Sequence, residues 1–430
     1  MTSVSDLYSL YLQHPVVTTD SRTCPAGSIF FALKGDSFDG NQFAGKALQA
    51  GCAYAVIDDP GVKTGNRMLL TDSVLLTLQQ LARLHRETLG LPIIGITGTN
   101  GKTTTRELLA AVLSVKYSVL STQGNLNNHI GVPLTLLRLT RRHEMGVVEM
   151  GANHPGEIGD LSQIVRPDYG LITNVGCAHL EGFGSLEGVI RAKGELYDFL
   201  RKTNGKIFIH RENPHLQAIA CGLEQITYGT GDDAYVTGKV TDCYPFLRFQ
   251  WTARQGVSHT VDTRLAGDYN LWNVLAAVAA GQYFNIPPES INAAIAACEP
   301  ATHRSQWKKT ARNELIVDAY NANPDSMQAA LTNFATLPVC PKAVILGDMH
   351  ELGINSPTFH EAVVKQLQTF NFEQVILCGR QFAAVASLRY PCFPDTEALT
   401  GYLTRNPWQG YHILIKGSHA VHLEKVTDRL

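Results

Sequence analysis

The stretch GITGTNGKTTTRELL, Gly95–Leu109, decides how the rest of the chain is read. An apolar run, Ile93–Thr97, leads into it with the look of a buried strand. A loop with two glycines and a lysine follows, and then a segment with Leu108, Leu109, Val112 and Leu113 on one helical face. Strand, glycine loop, lysine and helix in this order form a phosphate cradle. Gly98 and Gly101 let backbone N–H groups turn inward, and the helix N-terminus adds partial positive charge. The usual spacing is GxxxxGK[ST]; here Ile96 stands at the first glycine position, so the loop is a shortened GxxGKT form. Lys102 can reach β- and γ-phosphates, and Thr103 or Thr104 can offer a hydroxyl to Mg²⁺. The competing reading is a plain strand–turn–helix corner rich in glycine and threonine.

Outward from the loop, short β-branched runs alternate with helical patterns, which is an α/β signature. Three blocks are expected, at 1–90, 91–299 and 300–430. The first has strands at Ile29–Leu33 and Ala53–Ile57, a helix at Phe43–Ala50, and a closing helix at Val74–Leu89 that GLP breaks at Gly90–Pro92. The second continues with strands at Gly146–Glu149, Gly170–Thr173 and Lys206–His210. Alternating runs at Tyr235–Val240, Phe246–Trp251 and His259–Thr263 suggest an antiparallel patch, and helices at Leu271–Tyr283 and Glu289–Cys298 follow. The third has strands at Leu315–Asp318, Ala343–Leu346, Gln374–Leu377 and His412–Ile415 between helices, a second α/β unit whose pattern suits a doubly wound sheet.

Composition narrows the class. The chain has 430 residues, enough for two to four domains, and 44% hydrophobic residues, enough for ordinary cores. A formal net charge of -2 gives no bulk signal for nucleic acid. No run is long and apolar enough to span a bilayer, and the N-terminus lacks a basic segment followed by an apolar one. Nine cysteines stand singly with no CxxC pair, which favours free thiols in a reducing, cytoplasmic setting.

Two further positions gain meaning from the loop. Glu149 ends a strand, at the sheet edge where open parallel sheets bind ligands, and suits a magnesium ligand; it also suits a simple strand-end cap. His179 follows the next strand. A lone loop histidine is ordinarily structural, but two candidate ligands after neighbouring strands of a phosphate-loop sheet form a set. Lys193, in VIRAKGELYDFL, carries no function on spacing alone.

With these residues the chain resembles the Mur ligases, the ATP-dependent amide ligases of peptidoglycan precursor synthesis. The likeness runs through all three blocks: DSR and GDSFDGNQF in the first; TGTNGKTTT, NLNNHIGVP, EMGA, NVGCAHLEGFGS and AKGE in the second; HRSQ, DAYNANPDSM, GDMHELG and KGS in the third. NNHIGVP, DAYNANPDSM and GDMHELG are similar to the branch that joins D-alanyl-D-alanine to UDP-N-acetylmuramoyl-tripeptide. A DNPR-like motif, expected of the diamino-acid branch, is absent. The alternatives are that branch, a folylpolyglutamate synthase, or a non-catalytic nucleotide-binding relative.

The resemblance implies a three-domain α/β architecture: an N-terminal UDP-substrate domain, a central phosphate-loop ATPase domain and a C-terminal Rossmann-like domain. It implies ATP held by Gly98, Thr99, Asn100, Gly101, Lys102, Thr103 and Thr104. Asn270 and Asn273 belong near the adenine, while Arg304, Asp318 and Asn321 reach the nucleotide from the third domain. Mg²⁺ falls to Thr103, Glu149, His179 and Lys193, the lysine being carbamylated by CO₂. Lys102, Lys193, His179 and Arg304 are the implied catalytic set. Ser21 and Arg22 fall to the uridine nucleotide, and Asn127 and Asn128 to the acceptor substrate. A cytoplasmic, monomeric enzyme is expected. The chain departs from the family with Tyr269 and His419 at positions commonly His and Arg, Asn41 where His is common, and Val317 where an acid often stands.

Overall fold

A computed structural model describes residues 1–253, 256–299, 304–385 and 389–430. The expected block boundary at Pro300 and His303 of the HRSQ motif lie outside the described residues.

Three main sheets occur in chain order. The first is parallel and four-stranded, in the order Val17–Thr18, Ile29–Phe31, Tyr54–Ile57, Met68–Leu70. The second has nine strands. From one edge they are His259–Asp262, Arg248–Ala253, Val236–Asp242, Glu224–Gly229, Lys206–His210, Tyr169–Ile172, Ile93–Thr97, Met145–Glu149 and Val119–Ser121. The third has six, Gln306–Lys309, Glu314–Asp318, His412–Lys416, Lys342–Gly347, Gln374–Cys378 and Cys392–Phe393, all parallel but for the first pairing.

Burial explains why the apolar runs become strands. In the central sheet Ile93, Val148, Ile172 and Ile207 face one core, while Ile94, Val147, Leu171 and Phe208 face another. The third sheet divides likewise, with Ile316, Val344 and Leu414 on one side and Leu315, Ile345 and Ile413 on the other. Period-two alternation between two apolar faces is what a sheet covered on both sides requires. The third unit is therefore doubly wound.

The runs at Tyr235–Val240, Phe246–Trp251 and His259–Thr263 pair antiparallel as expected, and the strand Val236–Asp242 also pairs parallel with Glu224–Gly229, which joins the patch to the central sheet. The strand that joins them, EQITYG, has polar residues at its first two positions and gives little apolar signal.

The helix Val74–Leu89 links the first unit to the second. Ser73 caps it by accepting from Leu76 N, and Gly90 ends it in the left-handed region. Its buried Arg86 donates to Val165 O, Arg166 O and Asp168 Oδ2 at 2.8–3.0 Å. Among the described residues no helix is long and apolar enough to cross a membrane.

Candidate active site

The order of the central sheet builds the site. Ile93–Thr97 lies between the strand ending at Glu149 and the strand ending at Ile172. The glycine loop thus emerges with Glu149 on one side and the Thr173–His179 segment on the other. Thr99 N donates to Asn174 O at 2.9 Å, Asn100 N to Asn174 Oδ1 at 2.9 Å, and Thr173 Oγ1 to Asn100 O at 2.6 Å. These bonds fix the loop against its neighbour.

Gly101 caps the helix Lys102–Leu113 at φ 78 and makes no side-chain cap bond. A Cβ there would lie 2.5 Å from Asn273 Oδ1, so glycine is required on both conformational and steric grounds. The first-turn N–H groups are left for an anion. Lys102 Nζ folds back to donate to Gly98 O at 2.7 Å and Thr99 O at 3.1 Å. Burial lowers its pKa; the Glu149 charge works against that shift.

Glu149 is 2% exposed. Its carboxylate accepts from Thr103 Oγ1 at 3.1 Å, Arg106 Nη1 at 3.2 Å and Asn127 Nδ2 at 2.9 Å. A hydroxyl and a buried carboxylate side by side form a hard-oxygen donor pair that fits Mg²⁺. His179 Nδ1 lies 2.5 Å from Glu351 Oε2, which leaves Nε2 as the free ring nitrogen.

Lys193 lies on the helix Leu186–Thr203, capped by Ser185, on the same face as Val189 and Leu196. It is 2% exposed, which rules out a solvated helix lysine. Nζ donates to Ala152 O at 3.2 Å and sits 5.0 Å from the Phe183 ring centre, with no carboxylate in ion-pair range among the described residues. Burial, with the Lys102 charge second, pushes its pKa down to about 7. An ammonium here offers no metal ligand, whereas a carbamate does.

The third unit forms the far wall. Arg304 stacks on Tyr320 at 3.8 Å. Asp318 accepts from Lys416 Nζ at 2.5 Å and from Ser305 N at 3.4 Å, and Lys416 also donates to Asn321 O. The central and third units are docked. Asn100 and Asn323 exchange amide bonds at 2.8 and 3.3 Å, Cys177 N donates to Asp325 Oδ2 at 2.7 Å, and Tyr269 Oη meets Ser305 Oγ at 2.8 Å. Asn270 and Asn273 are buried; Asn273 Nδ2 donates to Asn270 Oδ1, and Asn273 Oδ1 accepts from Thr105.

One cavity of about 1180 Å³ collects most of these groups; Gly98 and Lys193 are not in its lining, though Ala152, to whose carbonyl Lys193 donates, is. It is lined by the loop from Thr99 to Thr104, by Glu149, His179, Asn270 and Asn273, and by Arg304, Asp318 and Asn321. Asn127 and Asn128 also line it, as do Gln79 and Arg83 of the Val74–Leu89 helix, so all three units contribute. Asn128 Oδ1 accepts from Ile130 N and Gly131 N, which leaves its amide N–H groups available. Ser21 and Arg22 are not among the lining residues; the Arg22 side chain is exposed and paired with Asp20. Sequence reasoning gave no role to Arg106, Lys416 or Glu351. The last two fall within motifs already singled out, KGS and GDMHELG; Arg106 directly follows TGTNGKTTT.

Family models match all three units: "Mur ligase family, catalytic domain" at residues 15–86, "Mur ligase middle domain" at 96–281, and "Mur ligase, glutamate ligase domain" at 303–419. The chain belongs to the Mur ligase family. Within it, the chain is 35% identical over 427 residues to the UDP-N-acetylmuramoyl-tripeptide–D-alanyl-D-alanine ligase of Bacillus subtilis, covering 96% of this chain and 92% of that protein. It is similar in structure to MurF from Acinetobacter baumannii, with TM-score 0.87, 31% identity, and 96% and 92% of the two chains covered. It is also similar to MurF ligase from Thermotoga maritima in complex with ADP, with TM-score 0.86, 27% identity, and 100% and 98% covered.

Proposed function

We propose that the chain is an ATP-dependent amide ligase that joins D-alanyl-D-alanine to UDP-N-acetylmuramoyl-tripeptide, acting as a cytoplasmic monomer. The observation that carries this reading is the convergence on one cavity of the phosphate loop, Glu149, His179 and the Arg304 wall, with buried Lys193 bonded to Ala152 of its lining. The tripeptide carboxylate attacks the γ-phosphorus of ATP, giving an acyl phosphate and ADP. The amine of D-alanyl-D-alanine then adds to that carbonyl, and phosphate leaves as the amide forms. Both steps bring polar or anionic groups together, so alignment and charge neutralisation are what the protein supplies.

In this reading the first-turn amides and Lys102 hold the β- and γ-phosphates. Lys102 exchanges its loop carbonyls for phosphate oxygens, an exchange favoured by charge. Arg304 leaves Tyr320 to meet the transferring phosphoryl group. Asn270 and Asn273 bound the adenine end, with Tyr269 beside them, and Asp318 and Asn321 contact the nucleotide from the third unit. Asn127 and Asn128 meet the acceptor peptide, and Ser21 and Arg22 the uridine end, away from the cavity. Residues 1–90, 91–299 and 300–430 are the corresponding domains.

Thr103, Glu149 and His179 would hold Mg²⁺, which supplies Lewis-acid polarisation of phosphoryl oxygens. Lys193 joins them as a carbamate: the ammonium loses one proton, the neutral amine adds to CO₂ with a C–N bond formed and a second proton lost, and a cation becomes an oxygen donor. A phosphate-release assay tests the whole reading. Release should require ATP, Mg²⁺, a UDP-muramoyl-tripeptide and D-alanyl-D-alanine together, and running lysine- and diaminopimelate-containing tripeptides in parallel identifies the third residue. Equal rates with single D-alanine or a diamino acid in place of the dipeptide would refute the assignment.

A further inference from the structure

The GDMHELG segment follows the strand Lys342–Gly347 of the third unit, yet its glutamate reaches into the second. Glu351 Oε2 lies 2.5 Å from His179 Nδ1, and Glu351 O accepts from Glu181 N at 3.3 Å. The two residues are 172 positions apart and both are non-glycine residues in the left-handed region, at φ 62 and φ 52. Such a conformation costs of order 1 kcal/mol or more and persists only where neighbours over-determine it.

Here they do. Asp348 accepts from Gln381 N and Phe382 N at 2.9 Å, Met349 N donates to His360 Nε2 at 3.0 Å, and His350 N donates to Ser418 Oγ at 3.1 Å. Three consecutive residues are pinned, and the fourth is delivered across the unit boundary. On the other side the His179 ring packs edge-on against Phe183, at 6.3 Å and 82°. His179 Nδ1 is buried and has no formed hydrogen bond among the described residues; the Glu351 carboxylate is the group that lies against it.

We propose that Glu351 is a positioning residue for His179. Its carboxylate takes the Nδ1 proton as a hydrogen bond, which fixes the tautomer and presents Nε2 to the cavity. Because Glu351 belongs to the third unit, the imidazole is set only when that unit is docked. Domain docking and assembly of the metal-holding set are thereby one event. The proposal rests on the functional reading above for what Nε2 holds, but the ring's state can be measured without it. Docking itself does not depend on Glu351, since Asn100–Asn323, Cys177–Asp325 and Tyr269–Ser305 hold the same boundary.

The experiment compares wild type, Glu351→Ala and Glu351→Gln, the last keeping an acceptor without the charge. Glu351 is half-exposed, so both variants should fold. The full-length, metal-free and nucleotide-free protein is labelled with ¹⁵N-histidine, and among its 15 histidines the His179 signals are identified by their loss in His179→Gln. Wild type should show the Nδ1–H tautomer, Glu351→Ala a mixed ring, and Glu351→Gln a partial return. In the phosphate-release assay, Glu351→Ala should raise the apparent KM for Mg²⁺ about tenfold or more, as losing an outer partner of a ligating histidine does elsewhere. KM for ATP should stay near wild type. An identical ring state in wild type and Glu351→Ala would overturn the proposal, and so would an Mg²⁺ KM unchanged within about twofold. If wild type releases no phosphate with the tripeptide, the functional reading fails, and the ring measurement still decides the role of Glu351.

Discussion

Without CO₂, the Lys193 amine stands bare in the interior, and its energetic signature can be worked out from its surroundings. Burial and the Lys102 charge push its pKa from 10.5 down to about 7, against the opposing pull of Glu157 and Glu195. In the unfolded chain the amine titrates normally. Between those two values the unfolded state binds the extra proton, so stability rises with pH across about 7 to 10.5, at about 1.4 kcal/mol per pH unit. The native state bears the full penalty below that window and is relieved above it. Near pH 7 the penalty is about 4 kcal/mol, and Lys193→Met, apolar and of similar length, removes it. In CO₂-free buffer Lys193→Met should therefore exceed wild type in stability by a few kcal/mol at pH 7, and the gap should close towards pH 10. Urea unfolding of both proteins at pH 7, 8, 9 and 10 measures this, and taking the difference cancels every other titrating group. Bicarbonate at pH 8 should then stabilise wild type alone and restore its phosphate release. Parallel stability curves, with no response to bicarbonate, would refute a neutral, carbamylated Lys193.

Other substitutions probe the remaining walls of the cavity. Arg304→Ala should lower turnover roughly a thousandfold, as measured by phosphate release, because an arginine on a transferring phosphoryl group is worth that much; near-normal turnover rejects the role. Lys193→Ala should be nearly inactive and partly rescued by formate or acetate, whereas Lys193→Arg should be inactive with either, since a guanidinium cannot carry a carbamate. Gly176→Ala places a Cβ 2.0 Å from Asp325 Oδ2, so the carboxylate must turn aside and give up its bond from Cys177 N. Amide hydrogen exchange at Cys177 should be faster in that variant than in wild type, and unchanged protection would refute the contact.

Local signals carried the sequence reading furthest. Val74–Leu89 and Leu271–Tyr283 are helices with those same bounds: the first has an apolar face and a stop at Gly90, and the second is buried almost all round. The loop, Glu149 and His179 could be brought together from sequence because neighbouring parallel strands deliver their ends to one edge. Short edge strands such as Val119–Ser121 and Gln306–Lys309 escaped, being three or four residues with little burial to impose a pattern. Long-range pairings were invisible for a different reason. Nothing local marks Arg106 as the partner of Glu149, Lys416 as that of Asp318, or Glu351 as that of His179. Lys193 shows the same limit. A helix lysine is ordinarily solvated, and the packing of Phe183 and Ala152 around this one is what reveals a dry setting.

Arg304 lies only seven residues beyond the end of the helix Pro288–Ala297, while Asp325 and Glu351 lie much farther along the third unit. A chain of that length spans at most about 25 Å. The arginine is thus tethered within that reach of the second unit by the chain itself, whereas Asp325 and Glu351 meet that unit only through their own contacts with Cys177 N and His179. Parting of the two units would break those contacts and still leave Arg304 on its short leash.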